Sequence, residues 1–291
     1  MKIPADWHPS NPRFRSFYGW DEQAGRWELS LVPVDDGDFV ACHYFTAAQS
    51  GKEPKGTLFI IHGYLEHTAL RMPLILEALR AGWDVVGMDL LGHGFSTGPV
   101  ADIDSFNRYG RAFREVLRFR EWKKPWRFAG HSTGCATGLL CIREIGNPFE
   151  WALLEAPVIR TFLWQPTMVA KRLLRGALNT LPRRHAGMAR NKTFYRLLFK
   201  DPLYIGEAPV HWFDALEQYE ADSRSWGKIG GYFLILQGTA DTVLDWNYNI
   251  RFLRDRLPES EIVLIKGGHH HLLRDEGPAG KEAREAVRQR W

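Results

Sequence analysis

The sequence predicts an α/β protein with a mostly parallel central sheet, flanking helices and a helical cap inserted between two core strands. Short apolar runs bounded by glycine alternate with amphipathic stretches, a pattern typical of parallel βαβ units. The runs are apolar throughout, as expected of strands that are buried on both faces. The alternation stops after position 159 and resumes near position 230, which indicates an insertion.

Six apolar runs are the candidate core strands: 57–63, 83–94, 126–134, 150–159, 232–241 and 261–266. Helical patterns lie between most of them, and a charged C-terminal helix is predicted from about Ala279. The first 35 residues, rich in Trp and Phe, are interpreted as an edge hairpin. We therefore expect a core formed by 1–157 and 231–291, with a helical cap over 158–230.

Composition favours an ordinary globular protein. Hydrophobic residues make up 45% and charged residues 25% of the 291 positions, far from a disordered composition. There is no signal-peptide pattern and no run of about 18 apolar residues, so we expect a cytoplasmic protein. Its three cysteines, Cys42, Cys135 and Cys141, form no CxxC pair, which argues against a disulfide framework and a thiolate zinc site.

The stretch GHSTG, from Gly130 to Gly134, lies between the apolar residues WRFA and the helical pattern CATGLLCI. A serine on such a sharp strand-to-helix turn is held with its hydroxyl exposed, and small flanking residues are needed because the backbone packs tightly around it. The alternative is a glycine turn with a serine helix cap. The strand-turn-helix context favours Ser132 as a nucleophile.

A serine hydroxyl needs a general base that is itself oriented by a carboxylate, and on this scaffold the acid and then the histidine follow at the ends of later strands. Asp241 follows the mostly apolar residues 232–238 and is preferred over Asp245, which is interpreted as a helix cap. Three histidines, 269–271, follow the run 261–266. Local chemistry does not choose among them, and three adjacent side chains cannot easily bind one metal ion tetrahedrally.

Two backbone amides are expected to hold the oxyanion of a tetrahedral intermediate. One is the amide of Thr133, the residue after the nucleophile, and the other is the amide of Tyr64 in the loop after the first core strand. His62 occurs too early in the chain order to be the base and is interpreted as a residue that orients this loop.

In order and spacing, HGYLEHTALR (62–71), DLLGHGFSTG (89–98), GHSTG, GTADTVLD (238–245) and GGHHHLL (267–273) resemble the monoacylglycerol lipase and bacterial lysophospholipase branch of the α/β-hydrolases. The resemblance implies the α/β-hydrolase fold over 56–275 and places the catalytic histidine at His270, with His269 as the alternative. Cys135 and Thr133 depart from the glycine and methionine that are usual in this branch.

These residues predict a serine hydrolase that cleaves carboxylic esters of lysophospholipid or monoacylglycerol type, without a cofactor or a metal. Alternatives are a peptidase or amidase of proline-iminopeptidase type, which shares the scaffold, and a non-catalytic ligand-binding protein. An aspartate nucleophile, which dehalogenases and epoxide hydrolases of this fold use, is absent from the GHSTG turn.

The net charge of +4 is unevenly distributed, because ten basic residues and no acidic residue occur between positions 160 and 200. Basic residues without acidic neighbours, beside apolar side chains, predict peripheral contact of the cap with an anionic membrane. Nucleic acid is not expected, since the rest of the chain is net acidic. The ten residues are Arg160, Lys171, Arg172, Arg175, Arg183, Arg184, Arg190, Lys192, Arg196 and Lys200.

Overall fold

The computed structural model describes residues 4, 6–20, 22–47, 53–173, 178–183 and 191–290. An eight-stranded sheet forms the centre, in the order β1-β2-β4-β3-β5-β6-β9-β10. The first two strands pair antiparallel to their neighbours, and all the others are parallel. The strands are β1 (Gly25–Pro33), β2 (Phe39–Ala47), β3 (Thr57–Ile61), β4 (Asp84–Met88), β5 (Trp126–His131), β6 (Trp151–Glu155), β9 (Phe233–Gly238) and β10 (Ser260–Ile265).

Most residues of the parallel strands are apolar, because helices cover both faces of the sheet. In β3, Phe59 and Ile61 pack into one core cluster, whereas Leu58 and Ile60 pack into the other. The first face carries α3 (Phe106–Arg118), α4 (Thr133–Ile145) and α8 (Trp246–Arg256), and the second carries α1 (Pro12–Phe17), α2 (Met72–Arg80) and α9 (Pro278–Arg288). The predicted mostly parallel sheet with flanking helices is confirmed.

Helix α3 shows how the sequence determines one of these layers. Ser105 caps its first turn by accepting a hydrogen bond from the amide of Asn107, as serine favours at this position. The side chains of Phe106, Tyr109, Phe113 and Val116 are buried, at the spacing that places them on one face of a helix.

The predicted position of the N-terminal hairpin along the chain was wrong. The edge hairpin consists of β1 and β2, which span Gly25 to Ala47, so only its first strand lies within the first 35 residues. The preceding segment contains the short helix α1, whose Phe14 is fully buried against Trp7 and Trp27. The Trp and Phe residues of this region therefore form an aromatic layer over one face of the sheet.

Between β6 and β9, the described residues form three helices, α5 (Trp164–Leu173), α6 (Lys192–Lys200) and α7 (Val210–Ser223). A short antiparallel pair, β7 (Thr180–Pro182) with β8 (Glu207–Pro209), joins them and was not predicted. Among the predicted cap features, Arg175, Arg184 and Arg190 lie outside the described residues. Among the helices that are described, none is both long and apolar enough to cross a bilayer.

Candidate active site

Ser132 lies at the turn between β5 and α4, at the carboxyl end of the parallel strands. Its backbone has φ 52° and ψ −112°, a conformation that is strained for a residue with a side chain. A Cβ at Gly130 would lie 2.7 Å from the amide nitrogen of Cys135, and one at Gly134 would lie 2.7 Å from the carbonyl oxygen of His62. Both flanking glycines are therefore needed where the backbone packs this closely.

Asp241 and His270 come together at the ends of the neighbouring strands β9 and β10. The distance from His270 Nδ1 to Asp241 Oδ2 is 2.9 Å, and both side chains are buried. The other carboxylate oxygen, Oδ1, accepts hydrogen bonds from the amides of Val243 (2.8 Å) and Leu244 (3.1 Å). Because the carboxylate accepts a hydrogen bond from Nδ1–H, the neutral ring keeps a lone pair on Nε2, the nitrogen that a general base requires.

The electrostatics of this pair suit a base near neutral pH. Burial alone raises the pKa of Asp241, but the His270 ring and the two backbone amides outweigh burial and lower it. Burial likewise lowers the pKa of His270, yet the Asp241 carboxylate raises it above the usual 6.5. Asp241 is thus ionised when His270 accepts a proton.

The competing candidates occupy other positions. Asp245 caps helix α8 and accepts a hydrogen bond from the amide of Tyr248 (3.2 Å). His269 is half-buried, and His271 is fully buried beside Glu66, with its Nδ1 3.6 Å from the carboxylate. Of the three adjacent histidines, His270 is the one that contacts Asp241.

Thr133 and Tyr64, the two expected oxyanion donors, both line the cavity that contains Ser132. Thr133 is the first residue of α4, where an amide has no partner within the helix. Tyr64 lies in the loop after β3, its ring stacked on Trp212 and its hydroxyl donating to the carbonyl of Ala101 (2.7 Å). His62 accepts a hydrogen bond from the amide of Leu90 at 2.9 Å, which ties this loop to the loop after β4. Burial lowers the pKa of His62 to about 4, so the ring is neutral.

Ser132, Thr133, Tyr64 and His270 all line one cavity of about 270 Å³ beneath the cap. Most of the remaining lining is apolar: Val158, Phe162, Leu181, Trp212, Phe213 and Leu244. None of the described lining residues is acidic, and Arg183 is the one among them with a permanent charge. Its Nη1 donates to the carbonyl of Leu65 at 2.7 Å.

Sequence reasoning missed a buried charged network behind the site. Glu155, at the end of β6, pairs with Arg71, and its carboxylate accepts a hydrogen bond from the amide of Leu273 in the histidine loop (2.9 Å). Its carbonyl accepts from the amide of Ser132 (2.9 Å). A glutamate inside the apolar run EWALLEAPVI was the available signal, since buried carboxylates are retained where they are paired.

Several other histidines have structural partners. His67 contacts the Asp201 carboxylate (2.8 Å), which also accepts from the hydroxyl of Tyr18 (2.6 Å). His43 lies between Asp89 and the indole of Trp27, a pairing that the sequence did not reveal. These contacts join the N-terminal segment, the core and the cap. His185 lies outside the described residues.

Comparison with known proteins gives the family. The family model described as serine aminopeptidase, S33, matches residues 52–277, more than three quarters of the chain. The chain belongs to the serine aminopeptidase S33 family. It is therefore an α/β-hydrolase, as the sequence motifs predicted.

The relatives place this family member in the monoacylglycerol lipase-like branch. It is 25% identical over 257 residues to human monoglyceride lipase, covering 84% of this chain and 83% of the relative. It is 25% identical over 263 residues to the monkeypox virus monoglyceride lipase homologue, covering 87% and 94%. These relatives support a hydrolase of lipase and esterase type.

Solved structures agree at the level of the fold. A soluble variant of monoglyceride lipase from Saccharomyces cerevisiae superimposes with a TM-score of 0.73 at 19% identity, covering 94% of this chain and 98% of that one. Monoacylglycerol lipase from Paleococcus ferrophilus superimposes with a TM-score of 0.68 at 21% identity, covering 86% and 97%.

Proposed function

We propose that this protein hydrolyses carboxylic esters of monoacylglycerol or lysophospholipid type through an acyl-enzyme on Ser132. The observation that carries the proposal is that His270, 2.9 Å from Asp241, lines the same cavity as Ser132 on its strained turn. The monoglyceride lipases among the relatives support the ester substrate.

In this mechanism, His270 Nε2 takes the proton of the Ser132 hydroxyl while the serine oxygen attacks the ester carbonyl. The Asp241 carboxylate stabilises the imidazolium that forms. The amides of Thr133 and Tyr64 hold the oxyanion, and His270 then protonates the leaving alcohol. Water, activated by the same histidine, attacks the acyl-enzyme and releases the acid.

The cavity favours an acyl ester over an aminopeptidase substrate. An aminopeptidase must bind a free ammonium group, and burying a cation without a counter-charge is costly. The described lining provides no carboxylate for this purpose, and its permanent charge, Arg183, would repel an ammonium group. The apolar lining instead suits a hydrocarbon chain.

The position of Arg183 favours substrates whose leaving alcohol carries oxygen atoms that can accept hydrogen bonds. The side chain is 7% exposed, and its Nε and Nη2 atoms have no hydrogen-bond partner among the described residues. Glycerol hydroxyls accept from a guanidinium, and a phosphodiester does so with charge assistance. A lysophospholipid and a monoacylglycerol of one chain length should therefore both be cleaved, and Arg183→Gln should reduce kcat/KM more for the lysophospholipid.

The substrate class is tested with matched monoacylglycerols, lysophospholipids, nitrophenyl esters and amino-acid anilides. We expect hydrolysis of the esters and a loss of roughly 10⁴-fold or more in Ser132→Ala, since members of a triad act as a unit. Preferential cleavage of the anilides would favour the peptidase alternative. Retention of a tenth of the activity in Ser132→Ala would exclude this serine as the nucleophile.

We also propose that the cap contacts an anionic membrane, through a smaller charged surface than the sequence suggested. Three of the basic residues form ion pairs with carboxylates of α7: Arg160 with Glu220 (2.6 Å), Lys171 with Asp214 (2.7 Å), and Arg172 with Glu217 (2.7 Å). Arg183 is buried. These four residues therefore contribute little to an external field.

Helix α6 provides the remaining surface among the described residues. Lys192, Arg196 and Lys200 are exposed at intervals of four positions, beside Phe199, which is 58% exposed. Each basic residue near an anionic bilayer contributes about 1 kcal/mol, screened by salt. This arrangement supports weak, reversible binding.

Co-sedimentation with anionic and neutral vesicles tests this surface. We expect binding to anionic vesicles at low salt, reduced in the double variant Arg196→Glu, Lys200→Glu, with unchanged hydrolysis of a short soluble ester. Arg172→Glu is the matched control, because Arg172 is already paired. Equal binding to both vesicle types, or no binding at all, would leave the cap without a membrane role.

A further inference from the structure

Behind the catalytic histidine, three buried side chains from different segments converge. Glu66 lies in the loop after β3, two residues beyond Tyr64. His131 directly precedes Ser132, and His271 directly follows His270. All three are about 1% exposed, and one possible ligand atom from each lies within 4.8 Å of the other two. This group is distinct from the three adjacent histidines of the sequence, since it uses one of them together with two residues from elsewhere.

The hydrogen bonding of this group is incomplete in either neutral tautomer of His131. The imidazole of His131 has its Nε2 3.3 Å from the carbonyl of His270, and in one tautomer Nε2 donates there. Its Nδ1 then presents a lone pair to Glu66 Oε2, 3.2 Å away. Two acceptors therefore face each other, and in the other tautomer the facing acceptors are Nε2 and the carbonyl of His270.

His271 repeats the deficit. Neither ring nitrogen has a hydrogen-bond partner among the described residues, although the side chain is 1% exposed. Glu66 Oε1, 3.6 Å from His271 Nδ1, also has no hydrogen-bond partner in the described chain. Leaving buried polar groups unpaired is costly, so these atoms point to a missing ligand.

We propose that Glu66, His131 and His271 form a binding site for a zinc-class transition-metal ion, whose occupation inhibits hydrolysis. Two imidazoles and one carboxylate are a ligand set used for zinc, with a fourth position open to water. Zinc-to-ligand distances of about 2.0–2.1 Å place tetrahedral ligands roughly 3.3 Å apart. Glu66 lies at comparable distances from both imidazoles, with Oε2 3.2 Å from His131 Nδ1 and Oε1 3.6 Å from His271 Nδ1. Both histidines line the cavity, which provides the fourth position.

The surrounding charges select the class of metal. Arg71, Arg183 and Arg274 all lie close enough to Glu66 to interact with it electrostatically, and they oppose any cation. Ions that bind mainly through charge and prefer oxygen ligands, such as Mg²⁺ and Ca²⁺, are disfavoured. Zinc and copper, which bind imidazole strongly, are favoured.

Inhibition follows from the position of the ion. The His270 ring lies 4.8 Å from that of His131 and 5.3 Å from that of His271, measured between centroids. A divalent cation at this distance opposes the imidazolium that must form during catalysis. Zinc should therefore lower kcat more than it raises KM, and a chelator should restore activity.

Metal binding is measured first on the Ser132→Ala variant, so that the result does not depend on the proposed function. After treatment with a chelator, we expect one equivalent of Zn²⁺ per chain by competition with a chromophoric chelator. Co²⁺ should give the visible absorption of a four-coordinate site, whereas Mg²⁺ and Ca²⁺ should not compete. A stoichiometry well below one, or displacement of Zn²⁺ by Mg²⁺, would overturn the proposal.

Substitutions of two proposed metal ligands and of one neighbouring histidine test where the metal binds. His271→Gln and Glu66→Gln should each weaken Zn²⁺ affinity at least about 10- to 100-fold, since even outer partners of a metal have effects of this size. His269→Gln, in the same loop, is the matched control and should keep the native affinity. Equal affinity in the native protein and both ligand variants, each checked by its melting temperature, would refute the assignment.

Discussion

The substitution Asp241→Asn tests the acid of the site sharply, because the structure determines how the new amide would orient. Oδ1 of Asp241 accepts two backbone amides, from Val243 and Leu244, so the position of Oδ1 must remain an oxygen. The amide nitrogen of asparagine must then occupy the position of Oδ2, 2.9 Å from His270 Nδ1, and the side chain of Gln237, whose Nε2 donates to Oδ2 at 3.2 Å, must turn its oxygen toward that nitrogen. Two donors cannot face each other, so Nδ1 becomes an acceptor and the proton moves to Nε2.

A histidine with its proton on Nε2 cannot accept the proton of Ser132. The same change of tautomer in a serine protease triad lowers turnover about 10⁴-fold, which corresponds to about 5.4 kcal/mol in the activation free energy. We expect a loss of this size in kcat for a short nitrophenyl ester, with little change in the melting temperature.

The matched control is Asp245→Asn, four residues further on. Asp245 caps α8, and asparagine is an equally good cap, so activity should stay within about twofold of the native value. If Asp241→Asn keeps more than a tenth of the native kcat, or if Asp245→Asn is the inactive variant, the assignment of the acid is refuted.

Three further predictions concern the base and the buried network. His270→Ala should be as inactive as Ser132→Ala while His269→Ala stays active in the same ester assay; the reverse result would move the base by one residue. The Asp241 carboxylate raises the pKa of His270 by more than burial lowers it, so the pKa lies above 6.5. We therefore expect kcat/KM to rise with pH through a midpoint above 6.5, as the imidazolium loses its proton. A flat profile from pH 5 to 8 would contradict a histidine base. Glu155→Gln leaves Arg71 buried without its ion-pair partner and should lower the free energy of unfolding, measured in urea, by about 3–5 kcal/mol. The control Glu144→Gln loses a partly exposed pair with Arg114 and should lower it by no more than about 1 kcal/mol. Equal effects of the two substitutions would contradict the account of the buried pair.

The sequence predicted the parallel strands because each is apolar on both faces, as in β3 and β6. The position of the N-terminal hairpin was missed because the aromatic side chains of Trp7, Phe14 and Trp27 cover one face of the sheet, and burial of this kind leaves no period-two pattern. The pair β7 and β8 was missed because strands of three residues carry too little pattern to detect.

At the site, the serine turn could be predicted because its glycines are required by close backbone packing. The choice among three adjacent histidines could not be derived locally, because the direction of each ring depends on how the loop folds against β9. Charge pairing was also hidden, since Lys171 and its partners Asp214 and Glu217 are more than forty positions apart. The count of basic and acidic residues between positions 160 and 200 therefore overstated the exposed charge of the cap.

Covalent labelling with a fluorophosphonate probe tests the central claim most directly, because the probe reacts with a serine that a general base activates. Intact mass should show one probe per chain at neutral pH, and peptide mapping should locate it on Ser132. Labelling should be lost in Ser132→Ala and slowed strongly in Asp241→Asn. A native protein that stays unlabelled, or a label on another serine, would contradict the account.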